Sequence, residues 1–426
     1  MNTLPEQPSR RTVLLVAYHY PPVAGSSGIQ RTLKFSAYLR EHGWEPIVLT
    51  VDPKAYERVD DGQMADIPPG LKVARAFALD TRRHLSWRGR YLRGMAIPDR
   101  WVSWWPAGVW RGLQLIRQHQ PVALLSTFPI ATAHLIGLTL ARLSGRPWIA
   151  DFRDNMTDAD FPRDPWTWHF NRWLEGAVVR RADISLFTTP GAKRMYAERY
   201  PDVAAERWAI VENGFDEENF SQAENGLVRQ PLGAAGQLTL IHSGLLYPQE
   251  RDPRPFFAAV AALKQAGTID SSGLRIVLRA TGSDDLYAPV LRDHGIADII
   301  ELAPPVGYRA ALGEMLCADG LLLFQAAMCN HQIPAKLYEY LRAGQPILAL
   351  TDPAGDTATT LRHAGHDNIV DLARQDDIQR GLGQFIRTLR DGSATRTPPS
   401  AAQLHSRRSR TAELAVLLKR LADAPR

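Results

Sequence analysis

From Val13 onward, short and almost uninterrupted apolar runs alternate with longer stretches whose apolar residues return every three or four positions. Runs of the first kind suit strands buried on both faces, and stretches of the second kind suit helices packed on them. A first set of strands is predicted at residues 13–17, 46–51, 122–126, 148–151 and 184–188. Residues 21–28 form a loop after the first strand, and 30–41 read as a helix stopped by His42-Gly43. Thr189 followed by Pro190 offers an N-cap and a first helical residue for a helix over 191–199. The alternation then restarts, with strands predicted at 238–242, 275–278, 299–302, 320–324 and 346–349. The pattern predicts an α/β chain of two doubly wound, Rossmann-like domains facing each other across a cleft.

Composition supplies the boundaries. Residues 1–12 are a polar tail without the apolar stretch of a secretory signal. Residues 13–220 make the first domain, with an insertion rich in arginine and tryptophan at about 80–117. A stretch with glycines and Pro231, 221–236, reads as a linker. The second domain takes 237–391, and 392–426 hold the loop GSATRTPPS and a last basic helix, from about Gln403 to Leu421, returning to the first domain. The motifs of the two halves differ, so this is not a sequence repeat.

The length of 426 residues, with 45% hydrophobic and 22% charged positions, is enough for two sizeable cores. Fifty Lys and Arg against forty-five Asp and Glu give a net charge of only +5, too diffuse for an obligate nucleic-acid binder. Two cysteines, Cys317 and Cys329, exclude a disulfide scaffold and a four-cysteine zinc site, and they fit the cytoplasm. No run reaches the roughly 20 apolar residues of a membrane span.

Ligands of open parallel sheets bind at the carboxyl ends of strands. The first such loop, Tyr18 to Gly28, holds Gly25 and Gly28, which allow close backbone approach, but it matches neither a dinucleotide fingerprint nor a P-loop. The most informative segment is Ile333-Pro334-Ala335-Lys336-Leu337-Tyr338-Glu339-Tyr340-Leu341-Arg342-Ala343-Gly344-Gln345-Pro346-Ile347-Leu348. Pro334 and Gly344 bracket a short helix in which Leu337 and Leu341 share a face that Glu339 avoids. Glu339 suits ribose hydroxyls and Lys336 suits phosphate; an ordinary solvated Lys-Glu pair is the plainer alternative. Asp151, Arg153 and Asp154 stand at the end of another strand, either as site residues or as an internal ion pair fixing that strand. His19 and His134 read more readily as structural than as catalytic. Asp158-Ala159-Asp160 has the composition of a metal site but reads as a loop, so no metal is expected.

The segment ending in Ala343-Gly344-Gln345-Pro346-Ile347, with Glu339 five residues before the glycine, resembles the donor-site helix of family 4 glycosyltransferases, which have the GT-B fold. Ile149-Ala150-Asp151-Phe152-Arg153-Asp154, Val211-Glu212-Asn213-Gly214-Phe215-Asp216, Ile241-His242-Ser243-Gly244 and Ala318-Asp319-Gly320 resemble further family segments in the same order. The resemblance spans about 13–372. It implies a nucleoside diphosphate-sugar as co-substrate, no other cofactor, no obligatory metal, and retention of anomeric configuration. Arg153, Asp151 and Asp154 would then be catalytic, and Gly25, Gly28, Gly244, Arg251, Lys336 and Glu339 would bind the donor. Three positions depart from the family pattern. Leu245 replaces an arginine, His331 a glutamate and Arg153 a histidine. They resemble a branch with Pro-x-Lys-x-x-Glu-Tyr donor helices, in which Lys336 supplies the missing charge.

The 80–117 insertion combines arginines with tryptophans, a pairing suited to phosphate and to membrane interfaces. Arg88, Arg93, Trp101, Trp104 and Trp105 are the expected contacts to a glycan or polyprenyl-linked acceptor, or to an inner-membrane surface; the plainer alternative is that the tryptophans pack within the insertion, and nucleic acid is not expected. The sequence thus predicts a cytoplasmic or peripheral glycosyltransferase of cell-surface polysaccharide or glycolipid synthesis. The alternatives are a sugar-nucleotide epimerase of the same fold and a catalytically degraded scaffold subunit.

Overall fold

The computed structural model describes residues 10–24 and 28–424. The chain up to Glu212, together with the segment from Arg407, forms one unit, and Asn213–Ser406 forms the other.

The first unit is built on a parallel sheet of seven strands: β1 (Arg11–Val16), β2 (Trp44–Val51), β3 (Lys72–Ala76), β4 (Ala123–Thr127), β5 (Trp148–Phe152), β6 (Ile184–Phe187) and β7 (Trp208–Ile210). Their order is β3-β2-β1-β4-β5-β6-β7, with Val13 paired to both Pro46 and Ala123. Val13 to Val16 and most of β4 and β5 are fully buried, as strands covered on both faces must be. The order reverses between β1 and β4, so the loops after these strands diverge and leave a crevice at their carboxyl ends.

The second unit repeats this plan with six parallel strands: β8 (Leu238–Ser243), β9 (Leu274–Arg279), β10 (Ile300–Ala303), β11 (Gly320–Phe324), β12 (Ile347–Leu350) and β13 (Ile369–Val370). Their order is β10-β9-β8-β11-β12-β13, and the reversal lies between β8 and β11. The composition of 221–236 predicts a linker, yet this stretch is part of the second unit. The helix Glu217–Glu224 runs into it, and Leu227 and Leu232 pack beside Phe220 against the second unit's core. The division falls instead at Glu212. The basic C-terminal segment is split into a short helix, Pro399–Gln403, and the helix Arg407–Asp423, which packs on Ile29–Tyr38 of the first unit.

One buried ion pair ties the first unit together where the chain leaves it. Arg31, on the helix Ile29–Tyr38, donates from Nε and Nη2 to the two oxygens of Asp151 at 3.0 and 2.9 Å, and the two side chains are 2% and 1% exposed. The same guanidinium donates to the carbonyls of Glu212 and Val211 at 3.0 and 2.8 Å, and Thr127 donates to Asp151 at 2.9 Å. Glu212 in turn receives Arg410 from the returning helix at 2.5 Å. Both groups of the pair have lost water, so removing one strands the other. Arg31→Met is expected to lower unfolding stability by about 3–5 kcal/mol, read as a lower urea midpoint; an unchanged midpoint would mean that the pair contributes nothing.

Candidate functional site

In the second unit, the strand reversal brings the end of β8 beside the loop that follows β11 and leads into the helix Ala335–Ala343. Gly344 ends that helix in the left-handed conformation, as expected, whereas Pro334 lies at its N-cap and not inside the first turn. Leu337 and Leu341 are fully buried, while Lys336 and Glu339 are half-buried on the other side.

His242 on β8 organises the cluster. It is fully buried, and its Nδ1 lies 2.8 Å from the carbonyl of Leu322 on β11. A carbonyl only accepts, so Nδ1 carries the proton and Nε2 is left as an acceptor. The Lys336 ammonium lies 3.1 Å from Nε2 and donates to it. Burial and the neighbouring ammonium push the His242 pKa well below its ordinary value, which keeps the ring neutral. Two residues on, Gly244 has φ +115°, and a Cβ there would stand 2.8 Å from Lys336 Nζ. The backbone angle favours glycine, and the missing Cβ leaves room for the ammonium to rest there.

Among the described residues, no carboxylate forms a salt bridge with Lys336. Burial first, and then the charge of Arg251, push its pKa down to about 7, with Glu339 opposing the shift. Arg251 reaches back to the Leu245 carbonyl at 3.3 Å, and Glu339 receives the Tyr308 hydroxyl at 2.7 Å. Gly244, Arg251, Lys336 and Glu339 are thus brought together at one switch point. Two basic side chains at strand ends are suited to an anion, and the adjoining carboxylate to hydroxyl donors. His242 and Tyr308 were not among the predicted site residues. His242 was legible only as a member of the Ile241-His242-Ser243-Gly244 segment, and nothing in the local pattern pointed to Tyr308.

In the first unit, Arg153 donates to the Gly28 carbonyl at 2.8 Å, across the ends of β5 and β1. Burial and the Arg153 charge together push His19 down to about 4, so its imidazole is neutral. Asp154 is exposed, but Asp151 is turned away into the pair with Arg31. The expected ion pair therefore exists with a partner other than Arg153, an arginine on the buried face of the first helix. Gly25 lies outside the described residues. His134 is fully buried, with Nδ1 2.8 Å from Ser126 Oγ and a pKa pushed by burial to about 3, a structural histidine.

The insertion divides. Trp104 is fully buried in the first unit's core and is excluded as an acceptor or lipid contact, because its helix, Trp104–His119, packs against the sheet. Trp101 packs on Tyr18 with ring centroids 4.5 Å apart and planes tilted by 43°, and it lines a cavity of about 310 Å³ with His19, Arg58 and Arg100. Trp105 is 40% exposed and donates to Thr139 at 3.0 Å. Arg88 and Arg93 are exposed.

Residues 27–214 match the model of a family described as glycosyl transferase 4-like domain. No curated protein matches the sequence. Among solved structures, the chain is similar to sucrose-phosphate synthase from Thermosynechococcus elongatus (14% identity, TM-score 0.66, covering 97% of this chain and 99% of that one). It is also similar to a glycosyltransferase from Rickettsia africae (10% identity, TM-score 0.67, covering 98% and 100%). A third is HepE of Anabaena, solved in complex with UDP and glucose (13% identity, TM-score 0.64, covering 96% and 100%). At such identities the likeness establishes the shared fold. The chain therefore carries a glycosyl transferase 4-like domain over residues 27–214 and has the GT-B fold.

Proposed function

We propose that the protein transfers a sugar from a nucleoside diphosphate-sugar to a hydroxyl of a glycan or polyprenyl-linked acceptor, with retention and without an obligatory metal, in cell-surface polysaccharide or glycolipid synthesis. The observation that carries this reading is Lys336, held by His242 above Gly244 beside Arg251. Departure of the nucleotide creates an anion, and pre-positioned cations stabilise that charge without having to reorganise during the reaction. Glu339 receives the ribose hydroxyls, and Arg251 and Lys336 meet the diphosphate. HepE, a structural neighbour, has been solved with UDP-glucose, which supports a sugar nucleotide as the ligand. On the first unit, Arg153 and Asp154 take catalytic roles, and the cavity beside His19 and Trp101 takes part of the acceptor. The reaction is placed in the cytoplasm or at the inner face of a membrane.

Transfer is tested by incubating radiolabelled UDP-, GDP- and ADP-sugars with glycan and polyprenyl-linked acceptors. Conversion of a sugar nucleotide without any acceptor would instead identify an epimerase, and nucleotide binding without turnover a scaffold subunit.

Lys336 titrates near pH 7 in the free protein, and a diphosphate binds its charged form. Affinity therefore falls as pH rises above 7, approaching tenfold per pH unit once the ammonium is mostly neutral. Calorimetry with nucleoside diphosphate between about pH 7 and 8.5, where the phosphate is fully ionised, is expected to show this fall. Lys336→Ala should abolish the dependence and weaken binding at low pH by about tenfold or more, the loss of one charged hydrogen bond. An unaltered pH profile in the variant would remove Lys336 from the site.

Glu339 gives a separate test. Glu339→Gln is expected to weaken nucleoside diphosphate binding by about tenfold while leaving inorganic pyrophosphate binding unchanged. Equal losses for both ligands would show that the carboxylate does not act on the ribose.

A further inference from the structure

The first unit carries an exposed aromatic surface that its core does not use. Trp87 and Arg90 exchange backbone hydrogen bonds of 2.8 and 3.0 Å across a two-residue turn, Arg88-Gly89, whose φ angles of 52° and 76° are both left-handed. This tight turn makes a defined tip. Trp87 and Leu92 are each 76% exposed and, with Tyr91 and Met95, line an open depression of about 760 Å³. Arg88 and Arg90 line it too, the Arg88 guanidinium lying 5.0 Å over the Trp87 ring. Residues 85–95 include no acidic residue.

One ion pair links the tip to the helix that carries a second exposed aromatic group. Arg93 Nε lies 3.9 Å from Asp164, which caps the helix Pro165–Arg181. On that helix Trp166 and Trp173 are 65% and 56% exposed, and seven residues apart they share one outward stripe.

We infer that this surface seats on an anionic lipid bilayer, with the aromatic rings and Leu92 at the headgroup–acyl boundary and the arginines on the lipid phosphates. Tryptophan prefers that boundary, and basic side chains are drawn to anionic leaflets. The complementarity requires a partner that is both anionic and apolar. A nucleic acid would satisfy the arginines and rings, but it offers nothing to Leu92 or Met95. Among the described residues no helix is long and apolar enough to cross a membrane, so the contact is peripheral.

The test needs neither donor nor acceptor, so its failure leaves the transfer reading untouched. Full-length protein is sedimented with vesicles of phosphatidylcholine alone or with about 30% phosphatidylglycerol. Binding to the anionic vesicles is expected, and it should weaken as salt rises. Each basic residue near such a surface contributes about fivefold, so Arg88→Gln/Arg90→Gln/Arg93→Gln should lose on the order of a hundredfold in affinity. Trp87→Ser/Leu92→Ser should weaken binding at every salt concentration. All five positions are exposed, and an unchanged urea midpoint confirms that the variants fold. Equal sedimentation with and without phosphatidylglycerol overturns the inference, as does wild-type binding by either variant. Absence of vesicle binding, with a dimer in light scattering that Trp87→Ser/Leu92→Ser abolishes, would assign the patch to self-association.

Discussion

An ammonium group held between a histidine nitrogen and a glycine is the contact around which the second unit's chemistry is arranged. It requires four things at once. β8 and β11 must be adjacent, so that His242 can give its Nδ1 proton to Leu322 and turn Nε2 outward. The residue after β8 must lack a Cβ. The helix carrying Lys336 must begin next to that turn. Water must also be sufficiently excluded for the lysine to lie near neutrality at pH 7. A parallel sheet whose strand order reverses at this place supplies the first and third together, because loops diverge at the reversal and helix starts gather there.

The first unit meets a similar demand with a different device. Its sheet also reverses, between β1 and β4, but the buried ion pair near the strand ends is structural. Arg31, with Thr127, engages both oxygens of Asp151 and caps two carbonyls at the point where the chain leaves the unit. With the carboxylate so engaged, Arg153 and a neutral His19 remain to face the strand ends. The two units thus place positive groups at their switch points by unlike means, one with a lysine anchored on a neutral histidine, the other with an arginine anchored on a backbone carbonyl.

The tryptophans illustrate how a shared composition separates in space. Trp104 and Trp87 belong to one arginine-rich stretch, yet Trp104 fills the core under its helix and Trp87 stands on a two-residue turn in water. Helical periodicity decides the first and turn geometry the second, and neither is visible in residue counts.

The sequence alone determined the strands of both sheet centres, because a strand covered on both faces must be apolar throughout and so announces itself. It also determined the bracketed helix with Lys336 and Glu339, since proline and glycine mark its ends. The edge strands β3, β7 and β13 escaped notice: they are short or half-exposed, and Lys72 and Arg75 interrupt the apolar signal of β3. Only the tertiary structure decided that Asp151 pairs with Arg31, 120 residues away, that His242 holds Lys336 across 94 residues, and that 221–236 is part of a domain and not a linker. Such contacts are set by where strands lie in the sheet. Local pattern fixes which residues can form a strand, but not which strand will be its neighbour.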